Sequence, residues 1–120
     1  MAQKVKILGT KYTIETHKIS EDEYLRENNL AGYCGEDDKL IVIADISEKE
    51  YFAGMDERGK EVYRKRVLRH EIIHAFLNES GLSADASTPV GAWARHEEMV
   101  DWIAIQFPKI AAVYQELGIM

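Results

Sequence analysis

Two histidines and a glutamate near the middle of the chain have the spacing of a metal-dependent hydrolytic site. His70, Glu71 and His74 form a His-Glu-x-x-His run in a stretch without proline or glycine, so nothing interrupts a helix there. Residues i and i+4 of an α-helix lie on the same face, and both imidazoles can therefore bind one metal ion. Glu71 is placed to reach a water molecule beside the metal and to act as its general base. The pattern predicts Zn2+ as the cofactor and Glu71 as the catalytic residue.

The residues around this run resemble the zincin metallopeptidases. The longer zincin pattern has uncharged residues and a final apolar residue at the positions of Leu68, Ile72, Ile73, Ala75 and Phe76. Metzincins are excluded, because Leu77 and Ser80 stand where that family has a glycine and a third histidine. The alternative is a buried helix whose histidines only pack, but two imidazoles and a carboxylate are costly to bury without partners.

A third ligand is expected downstream, since catalytic zinc usually has three protein ligands and one open position. Glu97 and Asp101 form a Glu-x-x-x-Asp pair on one helical face. The pair resembles the second motif of the gluzincins, which implies Glu97 as the third metal ligand. The same resemblance implies that Asp101 orients a zinc-bound histidine.

His96 and Glu98 compete with Glu97 for this third position. Neighbouring helical residues point about 100° apart, so only one of the three can readily face the zinc. We favour Glu97 because it alone has a carboxylate, Asp101, one turn further on. His96 as the ligand would make the site similar to that of the three-histidine SprT-like proteins.

Residues 97–104 also resemble the Glu-x-x-Ala-Asp/Asn-x-Phe-Ala stretch of the small ImmA/IrrE-type metallopeptidases of phages and bacteria. Val100 and Ile103 replace the usual alanine and phenylalanine, and the first half of the chain matches only by its order of elements. The resemblance implies a zinc metallopeptidase that hydrolyses peptide bonds, with a cytoplasmic regulator protein as a substrate. The alternative is a non-catalytic zinc-binding or partner-binding module derived from a peptidase, which the intact Glu71 disfavours.

Composition and charge indicate one cytoplasmic domain over residues 1–120. The hydrophobic content of 46% is sufficient for one core, and no stretch reaches transmembrane length. With 15 basic and 21 acidic residues, the chain has a net charge of −6, which disfavours nucleic-acid and membrane partners. The resemblance to metallopeptidases implies a protein or peptide substrate. Cys34 is the only cysteine, as expected in a reducing compartment.

The remaining patterns predict an α+β fold. The resemblance implies a minimal zincin-like fold, in which a small antiparallel sheet packs on a metal-binding helix and a third-ligand helix. Residues 4–8 with 11–17, and 31–35 with 39–45, alternate or run apolar between turn residues and predict two hairpins. Capping boxes at Ser20 and Ser47 predict two short helices. The later elements are expected as a metal-binding helix ending before Gly81, a loop over 82–92, a helix over 93–107 and a new helical segment from Pro108.

Overall fold

The computed structural model of this chain describes residues 2–82, 96–117 and residue 119. Most of the predicted loop over 82–92, and the predicted helix start at Trp93, lie outside the described residues. A short 3-10 turn, Ile19–Glu21, precedes the first α-helix. The strands and helices, in chain order, are β1 (Gln3–Ile7), β2 (Thr10–His17), α1 (Glu23–Glu27), β3 (Gly32–Cys34), β4 (Leu40–Ala44), α2 (Lys49–Phe52), α3 (Glu57–Glu79) and α4 (Glu97–Glu116).

The four strands form one mixed sheet in the order β1-β2-β4-β3. Both predicted hairpins are present, since β1 pairs antiparallel with β2, and β3 with β4. The predicted antiparallel sheet is nevertheless wrong at its centre, where β2 and β4 pair in parallel. The connection through α1 carries the chain past this position to the edge strand β3, and β4 then returns between β3 and β2. The α+β class is confirmed.

The first hairpin turns at Leu8 and Gly9, one residue earlier than the predicted Gly9-Thr10 turn. Both residues have positive φ angles, of 49° and 87°, as a two-residue type I′ turn requires. Glycine adopts this backbone without strain, and Leu8 is held there by the pairing of Ile7 with Thr10.

Strand β4 is covered on both faces, as its unbroken apolar sequence predicted. On one face Ile41 packs with Ile7, Tyr12, Ile14 and Ala75 of α3. On the other face Val42 and Ala44 pack with a second cluster formed by Ile19, Leu25 and Phe52. The sheet is therefore the middle layer, with α3 on one side and the short helices on the other.

The two capping boxes predicted for the short helices are wrong. Asp22 caps α1, because its side chain accepts a hydrogen bond from the N–H of Leu25. Ser20 instead donates to Glu48. At α1 the Asp22 carboxylate is therefore the acceptor in place of the Ser20 hydroxyl. The hydroxyl of Ser47 donates to Oδ1 of Asp45 at 2.7 Å, and among the described residues no side chain caps α2.

Helix α3 agrees with the predicted metal-binding helix. The side chain of Asp56 caps its start by accepting a hydrogen bond from Gly59 N–H at 2.7 Å. It ends at Ser80, followed by Gly81 with a φ of 86°, and glycine favours such a left-handed residue after a helix.

Helix α4 differs from the prediction in where it begins and in its course at Pro108. It begins at Glu97, with His96 in the non-helical capping position. It also continues through Pro108, so the predicted new segment there is wrong. Proline removes one backbone hydrogen bond, but the apolar side of the helix continues past it, from buried Val100 to half-buried Ile110. In the part of the chain that the structure describes, no helix is both long and apolar enough to cross a membrane.

Candidate metal centre

The two histidines of α3 lie one helical turn apart and point to the same place. Nε2 of His70 is 3.2 Å from Nε2 of His74, and their side chains are 17% and 21% exposed. The i, i+4 spacing predicted this meeting. Both side chains therefore remain partly exposed to solvent.

Glu97 completes this group from the first turn of α4. Its Oε2 lies 3.0 Å from Nε2 of His70, and its Oε1 lies 3.0 Å from Nε2 of His74. Val100 and Ala104, which are buried, fix α4 against the rest of the molecule just beyond this turn. The structure thus brings Glu97 to the histidine pair, as the sequence predicted.

His96 and Glu98, the other candidates for the third ligand, make different contacts. Nδ1 of His96 accepts a hydrogen bond from the backbone N–H of Met99 at 3.4 Å and so caps α4. Glu98 lies with His96 around a separate surface cavity of about 550 Å³, away from the histidine pair. Among the described residues, neither contacts His70 or His74.

Asp101 lies one turn after Glu97 and contacts the opposite nitrogen of His70. Its Oδ1 is 2.6 Å from His70 Nδ1. Because an ionised carboxylate can only accept, Nδ1 carries the proton and donates it to Asp101. In a neutral imidazole this leaves Nε2 with a free lone pair that faces Glu97 and His74.

This arrangement requires a positive charge among the three side chains. The Nε2 lone pairs and the Glu97 carboxylate are all acceptors at 3.0–3.2 Å from one another, and they would repel without a proton or a cation between them. A tetrahedral zinc with bonds of about 2.0–2.1 Å holds neighbouring ligand atoms about 3.3 Å apart. Two imidazoles and one carboxylate are also a donor set typical of catalytic zinc. The residues therefore fit a zinc ion.

Without a metal, a proton supplies the positive charge that keeps the three acceptors from repelling one another. Burial lowers the pKa of His70, but the hydrogen bond to Asp101 and the charge of Glu71 outweigh it, and the pKa lies above its ordinary value. The pKa of His74 is lowered, because burial outweighs the attraction of Glu97. In the metal-free site a proton is thus held more firmly by His70 than by His74, and a metal would displace it.

Glu71 is buried beside this group and is only 6% exposed. A carboxylate oxygen of Glu71 and one nitrogen from each of His70 and His74 lie within 4.8 Å of one another. Glu71 is therefore close to the position that an ion would take, and the carboxylate oxygens of Glu97 lie 3.0 Å from both Nε2 atoms. Burial, together with the charges of Glu97 and Asp101, raises the pKa of Glu71 to about 7 against the opposing charge of His70. A bound divalent cation would act in the opposite direction and favour the carboxylate.

Gly32 of the edge strand β3 packs directly against α3 beside Glu71. A Cβ at this position would lie 2.9 Å from Val67 Cγ1 and from the Val42 carbonyl oxygen, and 3.3 Å from Cγ of Glu71. Only glycine lets the strand approach the helix this closely. Gly32 was not among the residues predicted from the sequence, although a glycine inside a strand commonly marks a close backbone approach.

The register of β3 leaves backbone groups of Gly32 at the open edge of the sheet. Ala31 and Gly35 make the hydrogen bonds to β4, and these positions alternate along an antiparallel pair. The N–H and C=O of Gly32 therefore face away from β4. In the described part of the chain, no strand pairs with this outer edge.

A cleft of about 340 Å³ runs along the site. One wall is formed by residues 29–32, and the others by α3 and by Asp101 and Ile105 of α4. His70 and Glu71 lie along it, together with Tyr63 and Arg66, which precede them on α3. The cleft thus connects His70 and Glu71 to the open edge of the sheet.

Two other groups with possible chemistry are engaged elsewhere. The hydroxyl of Tyr33 donates to Oδ2 of Asp22 at 2.9 Å, so it is not free to stabilise charge at the histidine pair. Burial, with a further contribution from the charge of Glu71, raises the pKa of the Cys34 thiol to about 12. A thiol that stays protonated is a poor nucleophile.

Comparison of this chain with protein-family models, curated proteins and solved structures gave no match.

Proposed function

We propose that the protein is a zinc-dependent peptidase. The observation that carries this proposal is the meeting of His70, His74 and Glu97 within 3.0–3.2 Å, with Asp101 on the far side of His70 and Glu71 buried beside the pair. Structural zinc sites are usually closed by four ligands and rich in cysteine, whereas catalytic sites keep a position open. Three nitrogen and oxygen ligands with an adjacent free carboxylate favour catalysis.

Each side chain has a separate task in peptide hydrolysis. His70, His74 and Glu97 would hold the metal, and zinc bound there would polarise a peptide carbonyl and make a nearby water more acidic. Asp101 keeps the proton of His70 on Nδ1, so that Nε2 is free to bind. Glu71 would accept the proton lost by the attacking water and deliver it to the nitrogen of the leaving amine, which balances the reaction.

The cleft supports a peptide as the substrate. Gly32 presents an unused N–H and C=O beside Glu71, and an extended peptide could pair with them as an added strand. Because Gly32 has no side chain, nothing there separates such a peptide from the histidine pair. The net charge of −6 and the lone Cys34 are consistent with a cytoplasmic protein that acts on protein or peptide substrates.

Metal analysis combined with proteolysis tests the proposal. Protein purified without chelator should contain about one zinc per chain, as three ligands and one open position require. It should cleave an unfolded protein substrate, lose this activity with a chelator and regain it with added zinc. Absence of zinc after both purification and titration would refute the metal site, and a zinc-loaded protein that cleaves no member of a broad peptide library would refute the peptidase.

A further inference from the structure

Arg66 lies in the same cleft as His70, one helical turn before it. The spacing of four residues places both on one face of α3, about 6 Å apart along the helix axis. Both residues line the cleft. Of the described residues around this cleft, Arg66 is the one lysine or arginine.

The guanidinium of Arg66 is held at the cleft wall by an aromatic ring. Its central carbon lies 5.2 Å from the ring centroid of Tyr63, within the range of a cation–π contact. Tyr63 in turn packs against buried Phe52, with 6.0 Å between ring centroids. Stacking on a ring uses the face of the guanidinium and leaves the N–H groups at its edge for a ligand.

The charge of Arg66 has no acidic partner among the described residues. On the same helix, Arg64 pairs with Glu61 at 2.8 Å and Lys60 with Glu57 at 3.5 Å. Arg66 makes no comparable ion pair or hydrogen bond within the described part of the chain, although Glu71 and Asp101 line the same cleft. Its positive charge is therefore available to a molecule that enters the cleft.

An acidic group on the substrate would satisfy this charge. An extended peptide advances about 3.3 Å per residue, so the 6 Å between the two helical positions corresponds to about two residues. Arginine binds carboxylates through paired N–H groups with a defined geometry.

We propose that Arg66 selects peptides with a carboxylate about two residues from the bond at the histidine pair, an inference that rests on the proposed peptidase function. The carboxylate comes from an aspartate or glutamate side chain, or from the C-terminus of the peptide. The preferred substrates are in either case acidic peptides.

Peptide binding to a zinc-loaded Glu71→Gln protein tests this selection without requiring cleavage. The probes are neutral peptides blocked at both ends, with one aspartate moved through every position, matched asparagine peptides, and one version with a free C-terminal carboxylate. Fluorescence anisotropy at low salt should show about tenfold tighter binding of aspartate than of asparagine at one position, as a charge-assisted hydrogen bond provides. If only the peptide with a free C-terminus binds more tightly, the carboxylate that Arg66 selects is the C-terminal one.

Charge variants assign the preference to Arg66. In the same Glu71→Gln background, Arg66→Gln should abolish the preference for aspartate and Arg66→Glu should reverse it. Lys65→Glu is the matched control, because it makes the same charge change at an exposed neighbouring residue outside the cleft, and it should keep the preference.

Three results would overturn the role of Arg66: no peptide binds, neither an aspartate nor a free C-terminus strengthens binding, or the preference for a carboxylate survives in Arg66→Glu. Cleavage of the preferred peptide by the zinc-loaded wild type is measured separately. Selective binding without cleavage would refute the peptidase and leave the selection by Arg66 intact.

Discussion

The carboxylate of Asp101 lies 2.6 Å from Nδ1 of His70 and joins α4 to α3. This contact determines which nitrogen of His70 carries the proton, and so which nitrogen is free. Asp101 thereby keeps Nε2 of His70 unprotonated in the neutral imidazole, although it contacts only Nδ1. The relationship makes Asp101 a positioning residue for the proposed metal site.

Replacing Asp101 should weaken zinc binding without abolishing it. Asp101→Ala removes the acceptor that holds the His70 tautomer and ring, and such outer partners contribute about 10–100-fold in metal affinity. Competition with a chromophoric chelator measures the change. Glu98→Ala, on the same helix but away from the histidine pair, is the control, and equal affinities for the two variants would show that Asp101 does not position His70.

Replacing Glu97 should have a larger effect than replacing Asp101. Glu97→Ala removes one of the proposed ligands. Its zinc affinity should therefore fall by more than about 100-fold, which is the upper end of the loss expected for an outer partner such as Asp101. His96→Ala should retain zinc, because His96 caps α4 and does not reach the pair. A loss of affinity in His96→Ala but not in Glu97→Ala would reassign the third ligand to the histidine.

Gly32→Ala should destabilise the protein because the strand and helix are already in close contact. The added Cβ would meet Val67 and the Val42 backbone at 2.9 Å, and such overpacking costs about 1–3 kcal/mol. Gly54→Ala is the control, since a Cβ there meets nothing within 4 Å. Urea unfolding of both variants measures the difference, and similar free energies of unfolding would contradict the close approach.

His17 should stabilise the fold most strongly at mildly acidic pH. Its Nδ1 lies 2.6 Å from Asp22 and its Nε2 lies 2.8 Å from Glu15, so both nitrogens can donate only in the imidazolium form. Burial lowers the pKa of His17, but these two hydrogen bonds raise it above the ordinary value of 6.5. A raised folded pKa means that the stabilisation is complete below about 6.5 and disappears as the pH rises through the folded pKa.

The variant His17→Gln tests this pH dependence. The loss in free energy of unfolding should be larger near pH 6 than near pH 9, measured by urea unfolding at each pH. His96→Gln is the control, as His96 is exposed and faces no carboxylate pair. An equal loss for His17→Gln at both pH values would show that His17 is not held as an imidazolium.

Helical spacing explains why sequence alone indicated much of the candidate site. The i, i+4 rule places His74 over His70 and Asp101 over Glu97, and it depends only on local geometry. Strand β4 was predictable for a similar reason, because an unbroken apolar run indicates cover on both faces.

Contacts between segments that are distant in the sequence could not be predicted from local spacing rules. The parallel pairing of β2 with β4 depends on the path of the connection through α1, which no local pattern specifies. The approach of Gly32 to Glu71 depends on how strand β3 packs against helix α3. The cap at Asp22 shows that a neighbouring carboxylate can replace the hydroxyl expected at Ser20.

The most direct test of the proposed peptidase is the variant Glu71→Gln, compared with Glu98→Gln as the same chemical change away from the histidine pair. Zinc content and thermal stability should remain at wild-type values in both variants. Peptide cleavage should be unchanged in Glu98→Gln and fall by about 100-fold or more in Glu71→Gln, because the amide cannot accept the proton of water. Cleavage by Glu71→Gln at the wild-type rate, or loss of its zinc, would contradict the role of Glu71 as the general base.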